Sequence, residues 1–247
     1  MIVYRHPGLR GLELWHGMAG RATLYQLRDE KPIYFRALAE FLDDLHEGAA
    51  RTAGGDDLGA AAGFERLILT GGDAAGASAA LARPHLLADP GPFAARRGAE
   101  AVWREFGFAR PLALDLGQSR LKIMDLAGSR TVERDPAYLP YGRGALDADT
   151  GRERLREWLR PHVPDDCDGV VLGVPAAISL SGRAESCTFP GLFGDLEGIF
   201  GALFAGKPWV VVNDAVLAAR GYPPERGEKT LVVTLGFGVG GALWALP

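Results

Sequence analysis

Apolar and polar positions along the chain follow two rhythms. Runs of four to six mostly apolar, often β-branched residues recur in "MIVYR" at the start, "RLILT" (66–70), "PLALDL" (111–116), "GVVLGV" (169–174), "WVVVN" (209–213) and "TLVVTL" (230–235). Apolar runs of this length predict buried strands. Other segments place apolar residues three and four apart and predict helices: residues 33–49, about 93–106, "DTGRERLREWLRPHV", "GDLEGIFGALFAG" and a short stretch after Asn213-Asp214. "PLALDLGQSRLKIMDLAG" reads as strand, polar turn and strand, with a hairpin signal at "AGS"; "DGVVLGVPAAISLSGRAES" reads as a buried strand running into a loop; "RTAGGDDLGAAAG" reads as a loop. Strands and helices mixed throughout predict an α/β fold with mostly buried sheets.

The last strand runs into "GFGVGG", where Gly236, Gly238 and Gly241 fit G-x-G-x-x-G. The dinucleotide fingerprint requires a helix directly after the glycines and an acidic residue about 20 positions on. Here "GGALWALP" reads as a second apolar strand. The glycines are therefore expected in a hairpin turn, either an ordinary tight turn or one whose backbone N–H groups face an anion.

Composition narrows the function. The 247 residues, 47% hydrophobic and 23% charged, allow one or two domains with a sizeable core. A net charge of −4 without a basic run argues against a nucleic-acid partner. No apolar stretch reaches the roughly 18 residues of a membrane span, and "MIVYRHPGLRG" does not read as a signal peptide. Cys167 and Cys187 are the only cysteines, which suits a reducing cytoplasm and excludes a multi-cysteine zinc site.

Three strand ends carry small or acidic residues: Asp115 with Gly117 and Ser119 in "LDLGQSRLKI", Asp214 in "VNDAVLA", and the glycines of "LGFGVGG". Strand ends are where open α/β sheets bind ligands. Taken singly, Asp214 could be a helix N-cap and Asp115 a turn residue.

Together these segments resemble a known family. "LALDLGQSRLKI" is similar to the first phosphate motif of the sugar-kinase, heat-shock-protein and actin superfamily. "VVVNDAVLAARGY" resembles the Asn-Asp signature of the ROK family of sugar kinases, "VVTLGFGVGGAL" its second phosphate motif, and "GVPAAISLSGRAES" its Val-Pro strand and loop. "MIVYRHPGLRGLELWHGM" resembles the segment leading to the family's Glu-x-x-His, with Glu13 and His16 at that spacing. "RLILTGGDAAG" resembles the adenosine motif, and "ADPGPFAARRGAEAVWREFG" the closing helix. The order is cyclically shifted, as in a circular permutation whose ancestral ends met near residues 106–111. Such a permutation is tolerated when old termini are close and new ones fall in an exposed turn. On that reading "ALWAL" and "MIVYR" should pair as neighbouring strands, about 4.8 Å apart.

The resemblance implies a two-lobed actin-like (ribonuclease H-like) α/β fold with a cleft between lobes. One lobe would span 111–213, and the other 1–106 plus 214–247. It implies ATP-dependent phosphorylation of a hexose, with Asp214 as general base and Asn213, Glu13, His16 and Thr188 (or Cys187) on the sugar. Gly117, Gln118, Ser119, Thr234, Gly236 and Gly238 would meet the phosphates, Gly71 and Gly72 would meet the adenosine, and Asp115 would hold Mg²⁺ through water. Polyphosphate is an alternative donor, and a homodimer is the family habit. Gln118-Ser119 replaces the family's Gly-Thr, Phe237 stands where a Thr is usual, and no cysteine cluster follows His16. These departures keep two alternatives open: a sensing protein of weakened catalysis, and a kinase of another small hydroxylated substrate.

Overall fold

The computed structural model describes residues 1–12, 14, 17–19, 21–53, 58–81, 86–89, 94–142, 144–187 and 189–245. In chain order its elements begin with strands β1 (Ile2–Val3), β2 (Leu9–Leu12), β3 (Met18–Ala19) and β4 (Ala22–Thr23), followed by helices α1 (Leu24–Leu27) and α2 (Lys31–Glu47). Next come β5 (Arg66–Thr70), α3 (Ala74–Leu81), β6 (Leu86–Asp89), α4 (Ala94–Phe106), β7 (Pro111–Leu116), β8 (Arg120–Met124), β9 (Ser129–Glu133) and α5 (Ala148–Leu159). The remainder comprises β10 (Gly169–Val174), β11 (Ala176–Ile178), β12 (Arg183–Cys187), β13 (Gly194–Asp195), α6 (Leu196–Phe200), β14 (Trp209–Asn213), α7 (Asp214–Arg220), β15 (Lys229–Leu235) and β16 (Val239–Ala245).

The chain divides into two units: Met1–Arg5 with Gly98–Leu217, and His6–Arg97 with Ala218–Pro247. In the first unit six strands lie in the order β1-β14-β10-β7-β8-β9. β7, β8 and β9 form an antiparallel meander, while β10 and β14 run parallel to β7 and β1 runs parallel to β14. Leu112, Leu114 and Leu116 of β7 share one packed cluster with Leu155 and Leu159 of α5 and Phe200 of α6. Ala113 and Asp115 alternate to the other face and are buried too. Burial on both faces explains why these strands read as continuous apolar runs. A smaller antiparallel sheet joins β11, β12 and β13.

The second unit has the strand order β2-β16-β15-β5-β6. β15, β16 and β2 are antiparallel, and β5 and β6 run parallel to β15. The two sheets thus share one plan: a central strand (β7 or β15), an antiparallel pair on one side and parallel strands on the other, β5 and β6 in the second unit and β10 and β14 in the first, where β1 adds a third. In the second unit the strands equivalent to the first two of this plan, β15 and β16, follow the other three in the chain. α2 packs Tyr34, Leu38, Phe41, Leu42 and Leu45 on this sheet, the three-and-four spacing read from the sequence. It opens with Pro32 in its first turn and closes at Gly48, whose φ of 77° is the left-handed conformation that suits glycine. No helix among the described residues is long and apolar enough to cross a membrane.

Three expectations are corrected. "MIVYR" does not pair with "ALWAL": Ile2 and Val3 pair with Val210 and Val211, and it is Leu9–Leu12 that pairs with Gly241–Trp244. The chain reverses between them at Gly8, with the Leu9 N–H bonded to the His6 carbonyl, and the polar, glycine-containing "LRGL" gave no apolar run to mark it as a strand. The segment after β10 is a hairpin, β11–β12, in place of a loop. The helix expected across "GDLEGIFGALFAG" is regular only over Leu196–Phe200.

Candidate functional site

Strand register builds the site of the first unit. Lys122 pairs with Asp115, Asp115 with Gly173, and Gly173 with Val212, so four adjacent strands present one row. One residue further Asn213 ends β14, and the chain enters α7 at Asp214. Asn213 is the helix cap: its Oδ1 accepts the Val216 N–H at 3.1 Å, and its Nδ2 donates to the Ala176 carbonyl at 3.1 Å. Asp214 is then the first helical residue and does not cap; its Oδ1 accepts the adjacent Ala215 N–H at 2.8 Å.

The row is electrostatically coupled. Lys122 Nζ donates to Asp115 Oδ2 at 2.7 Å, and the Asp115 side chain is only 6% exposed. The Asp115 charge raises the Lys122 pKa, against burial, which lowers it. Burial, and then the charge of Asp115, push Asp214 up to about 7. A Cβ at Gly173 would lie 2.8 Å from a Leu217 methyl and 3.4 Å from Asp115 Oδ1, so glycine there leaves room for both α7 and the carboxylate.

Between β7 and β8 the chain turns through Gly117, Gln118 and Ser119. The Gly117 N–H donates to the Arg120 carbonyl at 3.0 Å, and a Cβ at Gly117 would sit 2.8 Å from that oxygen. The turn is anchored by Arg134, a residue the sequence reading did not single out. The residue as a whole is 4% exposed. It donates to the carbonyls of Gln118 at 2.9 Å and Leu139 at 2.6 Å, and to that of Pro140. It also lies 4.1 Å from the Phe189 ring centroid and 4.7 Å from that of Tyr141. Desolvation lowers its pKa to about 10, so it remains a cation at neutral pH. An arginine directly after Glu133 at the end of an edge strand carries no periodic signal of burial, which is why the sequence hides it.

The second unit brings its own glycine turns together. Thr70 pairs with Thr234 at neighbouring strand ends. Gly71 follows with φ 100°, and a Cβ there would fall 2.1 Å from the Leu235 carbonyl oxygen. The Gly236–Gly238 turn thus lies beside the Gly71–Gly72 turn. A Cβ at Gly72, Gly236 or Gly238 would meet nothing within 4 Å, so no protein neighbour requires glycine at those positions. Asp73 pairs with Lys31 at 2.5 Å. Phe237 lies at the tip of the turn, its ring centroid 5.0 Å from the Arg28 guanidinium carbon, which also covers Tyr25 at 4.0 Å.

Of the residues singled out from sequence, the first unit brings together Asp115, Gly117, Gln118, Ser119, Asn213 and Asp214, and the second Gly71, Gly72, Thr234, Gly236 and Gly238. Glu13, His16 and Thr188 lie outside the described residues. Among the described residues no group of three or more His, Cys, Asp or Glu gathers as a metal site. Asp115, with one oxygen on Lys122, fits a hydrated Mg²⁺ that takes one or two carboxylates and keeps its waters.

No family model matches the chain, and no curated protein matches it. Among solved structures it is similar to ROK family proteins and candidate sugar kinases. One is a ROK family protein from Streptococcus pneumoniae in complex with sucrose (19% identity, 56% of this chain and 46% of that one, TM-score 0.39). A second is a candidate N-acetylmannosamine kinase from Listeria monocytogenes (20% identity, 55% and 47%, TM-score 0.39). A third is a candidate sugar kinase from Cytophaga hutchinsonii (16% identity, 56% and 48%, TM-score 0.37). The chain spans about half the length of these proteins.

Proposed function

We propose that this protein is an ATP-dependent sugar kinase on a circularly permuted, actin-like α/β fold. The observation that carries the reading is the row Lys122–Asp115–Gly173 with Asp214 at its end, one carboxyl of the pair pushed up to about 7. A base with a pKa near the working pH takes up a proton most effectively. The shared sheet plan of the two units, with β15 and β16 following β2, β5 and β6, supports the permutation.

In the proposed reaction Asp214 accepts the proton of a sugar hydroxyl as that oxygen attacks the γ-phosphorus. The new O–P bond forms, the bond from the γ-phosphorus to the β,γ-bridging oxygen breaks, and ADP leaves with the electron pair. Asn213 fixes Asp214 by capping α7 and presents its remaining hydrogen-bonding capacity to the sugar. Gly117, Gln118 and Ser119 meet the phosphates in the first unit. In the second unit the bare backbone of Gly71–Gly72 receives the adenosine, and Thr234, Gly236 and Gly238 receive phosphate. Lys122 holds one oxygen of Asp115, and the Asp115 charge raises the Lys122 pKa. Bound through water at Asp115, Mg²⁺ would neutralise phosphate charge.

The test is a coupled ADP-release assay over a hexose panel that includes N-acetylmannosamine, with Asp214→Ala alongside. Sugar-dependent release that falls roughly 10²- to 10⁴-fold in the variant is expected. ADP release that ignores both sugar and Asp214 refutes the reading. A second reading, a nucleotide- or sugar-sensing protein, is favoured by Phe237 under Arg28 at a turn where the family resemblance leads one to expect a hydroxyl. Nucleotide binding without turnover on any sugar would select it.

A further inference from the structure

Arg134 is buried at the end of β9, and its contacts converge on one turn. Its backbone N–H donates to the Ser119 carbonyl at 2.9 Å, and its Nη1 donates to the Gln118 carbonyl at 2.9 Å. In a planar trans peptide the C=O and N–H point in opposite directions. Drawing the Gln118 carbonyl towards Arg134 therefore turns the Ser119 N–H of the same peptide away from it. Free rotation of this peptide would present carbonyl and N–H alternately, and a carbonyl repels an anion. The same guanidinium donates to the Leu139 and Pro140 carbonyls and lies on the face of Phe189. Phe189 is in turn held by its own N–H, which donates to Cys187 Sγ at 3.1 Å. A planar fork with several donors can meet three carbonyls and an aromatic face at once; an ammonium on a flexible stem cannot.

We infer that Arg134 is the positioning residue that makes the Gly117–Ser119 turn an anion-binding one, by locking the Gln118–Ser119 peptide with its N–H outward, and that it ties this turn to Phe189. The inference rests on the kinase reading for the identity of the anion, a phosphate of a nucleotide or of an inorganic phosphate chain. Arg134 touches neither; it acts through the peptide.

The experiment uses the full chain as wild type, Arg134→Met and Arg134→Lys, titrated by calorimetry with AMP-PNP, tripolyphosphate and adenosine. Arg134→Met should weaken AMP-PNP and tripolyphosphate tenfold or more and leave adenosine unchanged. Arg134→Lys should fall between, since charge is kept and the fork is lost. Loss confined to AMP-PNP or to tripolyphosphate identifies which source of phosphate the turn serves and still supports the inference. Hydrogen exchange of the ligand-free proteins gives the second readout: amides of residues 117–120 should exchange at least tenfold faster in Arg134→Met, and those of β5 should not change. Unchanged phosphate binding, or an equal loss of adenosine binding, overturns the inference. If the wild type binds none of the three ligands the kinase reading falls. The exchange comparison then decides the role of Arg134 by itself, and equal rates at 117–120 refute it.

Discussion

Replacing Asp214 by Asn removes one ionisable group from the row and keeps its shape, including an Oδ1 that can accept the Ala215 N–H. In the folded chain burial and the neighbouring Asp115 charge hold this carboxyl at about 7, against an ordinary 3.8. Through proton linkage that gap corresponds to about 4 kcal/mol. The figure is an upper one, because Asp214 keeps partial access to solvent. Below pH 4 the carboxyl is protonated in folded and unfolded chains alike and costs nothing. Between pH 4 and 7 the folded state binds more protons than the unfolded one, so this group makes stability fall as pH rises. Above pH 7 the whole penalty is present and constant. Asp214→Asn abolishes the penalty. Urea unfolding at pH 4.5, 6 and 8 should therefore show a variant little different from wild type at the lowest pH and more stable by about 2–4 kcal/mol at the highest. A difference that is independent of pH would refute the placement of Asp214 as a buried carboxyl facing Asp115. In the assay of proposed activity, the same titration predicts that kcat/KM for the wild type falls below an apparent pKa near 7.

Two further variants probe the framework. Asn213→Ala removes both the α7 cap and the tie to the Ala176 carbonyl, and should cost about 1–3 kcal/mol by denaturant unfolding; no loss would mean that Asp214 is oriented by something else. Gly71→Ala forces a side chain into a left-handed backbone 2.1 Å from the Leu235 carbonyl oxygen, and should lower stability by about 2 kcal/mol or more; an unchanged melting temperature would contradict the close approach of β5 and β15.

Much of this molecule could be read along the chain. The apolar runs at 66–70, 111–116, 169–174, 209–213 and 230–235 are strands, the three-and-four spacing read over residues 33–49 is a helix over Lys31–Glu47, and Asp115 stands near the end of one strand while Asp214 directly follows another. Those features are local: a strand buried on both faces must be apolar throughout, and a helix on a sheet must be apolar every third or fourth residue. What the sequence could not determine was partnership. Ile2–Val3 and Leu9–Leu12 join different sheets, and only hydrogen-bond register decides that Lys122, Asp115 and Gly173 stand abreast. The helix cap, a role open to Asp214 in the sequence, belongs to Asn213, since which of two neighbouring residues caps a helix depends on where the first turn closes. Arg134 was invisible because its contacts lie with a turn, a loop and a ring that the chain brings together only when folded. Periodicity records which face of an element is buried; it carries no record of what is buried against it, and the chemistry of this site is made of such long-range neighbours.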